Sequence, residues 1–221
     1  MLNDIILTKE YPSVIAQQLL DNEIDIGLVP VAVIPKLSQH YIVTDFCIGA
    51  VGEVASVCLF SDVPLHEIET VLLDYQSRTS VALTRVLLKN YWKINPQLVP
   101  ATAGFQSQIT GSTAGVVIGD RAFKQRLTSK YIYDLSSAWH DYTGLPFVFA
   151  AWVANKVLPA TFVAAFNSAN GEGFNHLPEI AAENDCPDYD LYTYYTENID
   201  YTLTDEKRRG LERFLQELSA L

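Results

Sequence analysis

Two β-rich passages, Glu53 to Ser61 and Pro146 to Ala154, constrain the fold of this chain more than any other feature. They connect two clusters of segments that alternate between strand-like and helix-like patterns, and no internal repeat or low-complexity linker interrupts them. Two such clusters joined by a pair of crossing strands predict an α/β protein with two lobes and a central cleft. Clefts between lobes are common binding sites for small ligands.

The first segments predict a strand, a helix and a second strand, in the stretches "DIILT", "PSVIAQQLLDNE" and "IDIGLVP". This β-α-β order favours a parallel sheet. Further along, "EVASVCLFS" is typical of a strand, and in that strand Val54 and Ser56 would lie on the same face as Cys58.

Several helix boundaries carry local signals. A helix is predicted to begin near Ser77, and "SSAWHDYTG" predicts a helix that ends at Gly144. Thr204 is a plausible N-cap for the last helix. Four apolar residues predict the buried stripe of that helix: Leu211, Phe214, Leu215 and Leu218.

Composition excludes several classes of function. The 221 residues carry a formal net charge of -11. The sequence contains no basic patch of the kind that attracts nucleic acid or an anionic membrane. The longest apolar run, 145–154, is about half of what a membrane span needs. The start lacks the pattern of a secretory signal, so we expect a cytoplasmic protein. The three cysteines are far apart and predict neither a disulfide framework nor a zinc site.

The most informative polar stretch is Ser77-Arg78-Thr79-Ser80, at a predicted helix start. A helix start leaves backbone N–H groups unpaired and carries a partial positive charge, so hydroxyls and a guanidinium there could bind a carboxylate or phosphate. Alternatively, Ser77 only caps the helix and Arg78 is solvated. The spacing alone leaves both interpretations open.

The stretch "IGDRA" predicts a second strand-to-helix corner, where Gly119 permits the turn and Asp120 can cap the helix. Ser56 is a hydroxyl within an apolar segment, which a neighbouring strand could satisfy. His140 has no Ser or Cys partner at a recognisable spacing. "GEVAS" and "GSTAG" lack the spacing of a phosphate-binding loop, so neither a nucleotide cofactor nor a metal is predicted.

Six stretches together resemble a known family, the chorismate dehydratases of the futalosine route to menaquinone. They occur in the expected order and span essentially the whole chain: "IDIGLVPVAVI", "GEVASVCLFSDVPL", "SRTSVAL", "VVIGDRAF", "WHDYTGLPFVFAAWVA" and "YYTENIDYTLTDEKRRGLERF". The resemblance implies a type II periplasmic-binding-protein-like fold. It places lobe one at residues 1–63 and 152–221 and lobe two at 64–151.

The implied reaction removes water from chorismate to give 3-[(1-carboxyvinyl)oxy]benzoate, without cofactor or metal. Loss of the ring hydroxyl and a ring hydrogen makes the ring aromatic. The resemblance places the active-site serine at Ser56. It implies that seven further residues contact the substrate: Gly52, Ser77, Arg78, Thr79, Ser80, Gly119 and Asp120.

This chain departs from the family pattern at two places. Val51 stands where many relatives have an acidic residue. The family also begins earlier, with a first strand and an asparagine-containing loop that helps to bind substrate. We therefore expect that the natural start lies upstream of Met1 or that this chain is shortened.

Three other interpretations stay open from sequence. The sister enzyme 1,4-dihydroxy-6-naphthoate synthase has the same architecture, although "SRTSVAL" and "IGDRA" match the dehydratase better. A binding protein could capture a small organic anion without reacting it, and a degenerate homologue could fold without catalysing anything. Homodimerisation is possible in each case.

Overall fold

A computed structural model describes residues 5–221. It contains two β-sheets with helices around them. The strands are β1 (Ile26–Pro30), β2 (Tyr41–Ala50), β3 (Val57–Ser61), β4 (Thr70–Leu73), β5 (Gln97–Pro100), β6 (Thr113–Ile118), β7 (Tyr131–Asp134), β8 (Phe147–Ala154) and β9 (Asp200–Thr202). The α-helices are α1 (Pro12–Leu20), α2 (Arg78–Val86), α3 (Asp120–Arg126), α4 (Leu135–Thr143), α5 (Ala160–Gly173), α6 (Leu177–Glu183), α7 (Leu191–Thr193) and α8 (Asp205–Ser219).

The five-stranded sheet has the order β5-β4-β6-β3-β7. Strand β4 is parallel to both β5 and β6, whereas β3 is antiparallel to β6 and β7. Helix α2 follows β4 and helix α3 follows β6. Because the carboxyl ends of parallel strands lie at one edge of a sheet, both helices begin at that edge.

The four-stranded sheet has the order β1-β8-β2-β9, and each of its pairs is antiparallel. The predicted parallel β-α-β unit is therefore wrong for the described residues, because β1 pairs with β8 instead of with a preceding strand. In the predicted strand "DIILT", Asp4 lies outside the described residues. Ile5–Thr8 form no strand, and Ile6 is 95% exposed.

The chain passes from the four-stranded to the five-stranded sheet between Ala50 and Val57, and it returns between Asp134 and Phe147. The β-rich passages predicted a pair of crossing strands, but the first connection is a turn and the return contains helix α4. Strand β3 lies in the five-stranded sheet and β8 in the four-stranded sheet. The lobe boundaries at 63/64 and 151/152 remain a prediction.

One continuous hydrophobic core joins the two sheets. It includes Val29 and Ala151 from the four-stranded sheet and Leu59 and Val116 from the five-stranded sheet. Between them Trp139 of α4 and Phe214 of α8 pack on Phe147, with ring centroids 5.5 and 5.0 Å away. These large buried rings contribute apolar contacts to the core between the two sheets.

The local signals for α4 and α8 are confirmed. Gly144 ends α4 with φ of 71°, and the Thr204 hydroxyl accepts a hydrogen bond from the backbone N–H of Lys207 at 3.3 Å. Leu211 and Phe214 are buried, and Leu215 and Leu218 pack partly buried against the core. No helix within residues 5–221 has the length and apolarity needed to cross a bilayer.

Candidate functional site

Ser56 lies in a turn and not in a strand, which corrects the prediction that Val54, Ser56 and Cys58 share one strand face. Strand β3 begins only at Val57. Ala55 has φ of 62° and Gly52 has φ of 126°, and such positive values are incompatible with an extended strand. A left-handed alanine is strained, so other contacts must hold this turn, residues 52–56, in place.

The carboxylate of Asp134 provides the main support for the turn. Its Oδ2 atom accepts hydrogen bonds from the backbone N–H groups of Val54 at 3.1 Å and Ala55 at 2.8 Å. Its Oδ1 atom caps α4 by accepting from the N–H groups of Ser136 and Ser137, each at 3.0 Å. Burial raises the pKa of Asp134, and the backbone hydrogen bonds oppose that shift.

Two further groups hold the carbonyl of Ala55. Arg126 of α3 donates to this oxygen at 3.2 Å and forms an ion pair with Glu53. The thiol of Cys58 approaches the same oxygen at 3.4 Å, and burial raises the pKa of this thiol well above its usual range. The Ser56 turn is therefore fixed by groups from β3, α3 and the end of β7.

Within residues 5–221, the hydroxyl of Ser56 forms one side-chain hydrogen bond, with the phenol of Tyr194, at 2.9 Å between the two oxygens. Ser56 is only 3% exposed. The ring of Tyr194 packs edge-on against Phe123, with centroids 5.1 Å apart. Burial raises the pKa of Tyr194, so its phenol is neutral at neutral pH. The sequence assigned no role to Tyr194, which lies 138 residues from Ser56.

The start of α2 follows the predicted local pattern. The Ser77 hydroxyl caps the helix by accepting from the backbone N–H of Ser80 at 3.1 Å. Thr79 is buried, and its hydroxyl accepts from the N–H of Ala32 at 3.3 Å. Ser80 is also buried, whereas the partly exposed Arg78 forms one long side-chain hydrogen bond among the described residues, to Gln17 at 3.4 Å.

The second strand-to-helix corner lies directly beside Ser56. The backbone N–H of Gly119 donates to the carbonyl of Ser56 at 2.9 Å, and Gly119 has the predicted positive φ, 63°. The prediction that Asp120 caps α3 is wrong, because Gly119 occupies the N-cap position and Asp120 is the exposed first residue of the helix. The charge of Asp120 helps to raise the pKa of Tyr194, after the larger effects of burial and Tyr195.

An ion pair that the sequence did not reveal joins the start of α3 to the segment between β4 and α2. Arg121 donates to both carboxylate oxygens of Asp74, at 3.1 and 2.8 Å, and to the side chain of Gln76 at 2.6 Å. The Asp74 side chain is fully buried. The other terminal nitrogen of Arg121, Nη1, is buried without a hydrogen-bond partner among the described residues. The stretch "IGDRA" drew attention to this corner, but nothing in the sequence indicated that Arg121 pairs with Asp74.

These contacts bring most of the predicted site residues to one sheet edge. Ser56, Gly119 and Asp120 are adjacent through the Gly119–Ser56 hydrogen bond. The Arg121–Asp74 pair links them to the segment that leads into Ser77–Ser80. Apart from each glycine and its two chain neighbours, no described residue has an atom within 4 Å of where a β-carbon would stand on Gly52 or Gly119, so both glycines border open space. His140 is exposed on α4, and its side chain forms no hydrogen bond with any described residue.

Two surface grooves lie elsewhere. One of about 530 Å³ is lined by Arg85, Lys89 and Lys93 among others, and one of about 510 Å³ lies between β2 and α5. Neither is lined by a predicted site residue. Within residues 5–221, no group of three or more His, Cys, Asp or Glu side chains is arranged to hold a metal ion.

Structural comparison places the chain among periplasmic-binding-protein-like folds. An ABC transporter protein from Parabacteroides distasonis superposes with a TM-score of 0.62 at 17% identity, over 98% of this chain and 81% of that one. The periplasmic aliphatic sulphonate binding protein SsuA from Escherichia coli superposes with a TM-score of 0.55 at 12% identity, over 96% and 74%. At these identities the likeness concerns the fold alone, and it confirms the predicted fold class.

Sequence comparison identifies the family. A protein from Thermus thermophilus named chorismate dehydratase is 30% identical over 230 residues, which cover 94% of this chain and 84% of that protein. A Campylobacter jejuni protein of the same name is 32% identical over 126 residues, or 55% of this chain and 56% of that protein. The family model described as menaquinone biosynthesis matches residues 2–220. The chain therefore belongs to the menaquinone biosynthesis family.

Proposed function

We propose that this protein is a chorismate dehydratase, a hydro-lyase that converts chorismate to 3-[(1-carboxyvinyl)oxy]benzoate and water. Membership of the menaquinone biosynthesis family and the names of the two relatives support this activity. The ring loses a hydroxyl group and a hydrogen and becomes aromatic. This gain in stability drives the reaction. The electron pair of the broken C–H bond completes the aromatic ring, and the electron pair of the broken C–O bond leaves with the hydroxyl oxygen.

The observation that carries the proposal is that the Ser56 turn and the segment leading into α2 lie at the same edge of the five-stranded sheet. The Gly119 N–H donates to the Ser56 carbonyl and so connects the Ser56 turn to the start of α3. Arg121 of α3 in turn donates to Asp74, which lies three residues before Ser77. A doubly anionic substrate needs hydrogen-bond donors on more than one side. The unpaired N–H groups and partial positive charge at the start of a nine-residue helix suit one carboxylate.

The predicted residues take distinct roles in this proposal. Ser56 is the catalytic residue and donates its hydroxyl proton in a hydrogen bond to the substrate. Arg78 and the hydroxyls of Thr79 and Ser80 bind a carboxylate, and Ser77 shapes the helix start. The Thr79 oxygen already accepts from Ala32, so its own proton is free to be donated.

The opposite wall of the proposed site is formed by Gly52, Gly119 and Asp120. The two glycines leave room for the ring beside the Ser56 turn. Ser56 is almost buried, so the substrate reaches it only after this corner of the cleft opens. Such an opening is common among two-lobed proteins that close around a ligand.

The direct test is incubation of the purified protein with chorismate, followed by chromatographic detection of the enolpyruvyl benzoate. The wild type should form this product, and Ser56→Ala should reduce kcat by about 100-fold, within the range for loss of a catalytic side chain. Ser219→Ala, at the exposed end of α8, serves as the matched control and should retain full turnover. Chorismate binding without turnover would instead support an anion-binding protein.

We also propose that the protein acts in the cytoplasm and that it can form a homodimer. The first proposal follows from the biosynthetic family to which the chain belongs. Cell fractionation and analytical ultracentrifugation test the two proposals separately. Recovery with the membrane or periplasmic fraction would contradict the first, and a single monomeric species at micromolar concentration would contradict the second.

A further inference from the structure

Tyr194 is the only side chain that hydrogen-bonds the Ser56 hydroxyl within residues 5–221. The two oxygens are 2.9 Å apart, and either one could be the donor. Ser56 is 3% exposed, and Tyr194 is partly buried beside aromatic rings. The direction of this hydrogen bond decides whether Ser56 still has a proton to offer to a ligand.

The Tyr194 ring is held on several sides. It packs edge-on against Phe123 at 5.1 Å and against Tyr189 at 6.4 Å, and it is tilted against Tyr195 at 5.3 Å. Phe123 in turn stacks on Tyr189 at 4.4 Å. A ring with this many neighbours loses packing energy if it swings away. We therefore expect that Tyr194 stays beside Ser56 when a ligand binds.

The backbone that carries Tyr194 is also tied to the Ser56 turn. Tyr194 begins a π-helical segment, Tyr194–Asn198, and π-helical turns are frequent at functional sites. The last residue of this segment, Asn198, donates to the backbone carbonyl of Glu53 at 3.2 Å. The phenol and the serine turn are thus connected by two routes, one through side chains and one through the backbone.

We infer that Tyr194 is a positioning residue that donates its hydroxyl proton to Ser56 Oγ, which leaves the Ser56 proton directed at the substrate. The inference rests on the proposed function, because a substrate with two carboxylates offers mainly acceptor oxygens. Ser56 can hydrogen-bond such an acceptor only as a donor. The Tyr194 hydroxyl must then supply the other hydrogen bond.

The raised pKa of Tyr194 agrees with this role. Burial is its main cause, and it keeps the phenol protonated, and so able to donate, throughout the neutral range. No proton needs to leave Tyr194 during turnover. The residue acts by fixing the orientation of the Ser56 hydroxyl.

A double-mutant cycle on Ser56 and Tyr194 tests the inference in the chorismate assay. Tyr194→Phe keeps the ring and should lower kcat about tenfold, the size expected for one neutral hydrogen bond, with little change in KM or Tm. In the Ser56→Ala background the same substitution should cause no further loss. Tyr195→Phe is the matched control, because its hydroxyl makes no hydrogen bond to any described residue, and it should leave kcat unchanged.

The outcomes separate the inference from the proposed function. An inactive wild type would overturn both. An active wild type with an unchanged Tyr194→Phe variant would overturn only the inference. A tenfold loss that recurs in the Ser56→Ala background would also overturn it, because Tyr194 would then act on the substrate or fold by another route.

Discussion

The Ser56 turn and the start of α2 are both polar turns beside the same sheet, yet they are held in different ways. The turn that contains Ser56 depends on Asp134 and Arg126, which are 79 and 71 residues from Ala55. The start of α2 is set by Ser77 and Ser80, three residues apart. The first turn adopts a strained backbone because distant groups compensate for the strain, whereas the second follows ordinary helix-capping rules.

This difference predicts where each turn is vulnerable. Removing a distant support should affect both the stability of the protein and the geometry at Ser56. Removing a local cap should cost little stability and leave the Ser56 turn intact. Four substitutions test the comparison, in order of decreasing effect on the free energy of unfolding.

Asp134→Ala should have the largest effect. Four backbone N–H groups lose their acceptor, so we expect the free energy of unfolding to fall by about 3 kcal/mol in urea titrations. The loosened turn should also expose the buried Cys58 thiol to alkylation, measurable by mass spectrometry. Asp141→Ala, at an exposed position on α4, the helix that Asp134 caps, is the control. Equal stability of the two variants would contradict the role given to Asp134.

Arg121→Met should have the next largest effect. It leaves the buried Asp74 carboxylate without its cation, and we expect a loss of about 2 kcal/mol because Arg121 itself is 28% exposed. Adding Asp74→Leu should recover much of that loss, since removing both charges avoids the unpaired one. Thermal unfolding of the single and double variants checks this. If the double variant is less stable than Arg121→Met, the loss at Arg121 has another cause.

Ser77→Ala should cost about 1 kcal/mol, the usual value for loss of an N-cap hydroxyl. Ser77→Asp keeps a capping oxygen and should retain stability. The added negative charge should, however, weaken binding of an anionic substrate and raise KM. Stability and steady-state kinetics of both variants separate capping from ligand binding. An unchanged KM in Ser77→Asp would argue against a carboxylate at the start of α2.

Arg78→Ala should change stability least, by less than about 0.5 kcal/mol, because the Arg78 side chain forms just one long hydrogen bond, to Gln17, within residues 5–221. Its proposed role is substrate binding, so KM should rise about tenfold while kcat changes little. Arg85→Ala, an exposed arginine in the last turn of the same helix, is the control. Equal KM values for the two variants would remove Arg78 from the proposed site.

Much of the fold could be predicted from the sequence. The fold class and the helix boundaries marked by Ser77, Gly144 and Thr204 were predicted correctly, as was the buried stripe that includes Phe214. These features depend on residues within one or two helical turns of each other, or on a periodic pattern along one helix. A local stretch of sequence contains all the groups that take part.

Strand pairing in the four-stranded sheet could not be predicted in the same way. The order of segments favoured a parallel β-α-β unit, but β1 pairs antiparallel with β8, which lies more than a hundred residues away along the chain. The residue pattern of β1 alone is compatible with a parallel neighbour from the preceding segment and with the antiparallel neighbour β8. Packing of the whole sheet decides between them.

The sequence by itself determined that a hydroxyl-rich helix start, a glycine corner and Ser56 are all present in a chain of this fold class. Only the tertiary structure decided that Tyr194 contacts Ser56, that Asp134 supports its turn and that Arg121 pairs with Asp74. The reason is physical. Each of these contacts joins groups that are distant in sequence, and hydrogen bonds act over about 3 Å, so their partners are fixed only when the sheets have assembled.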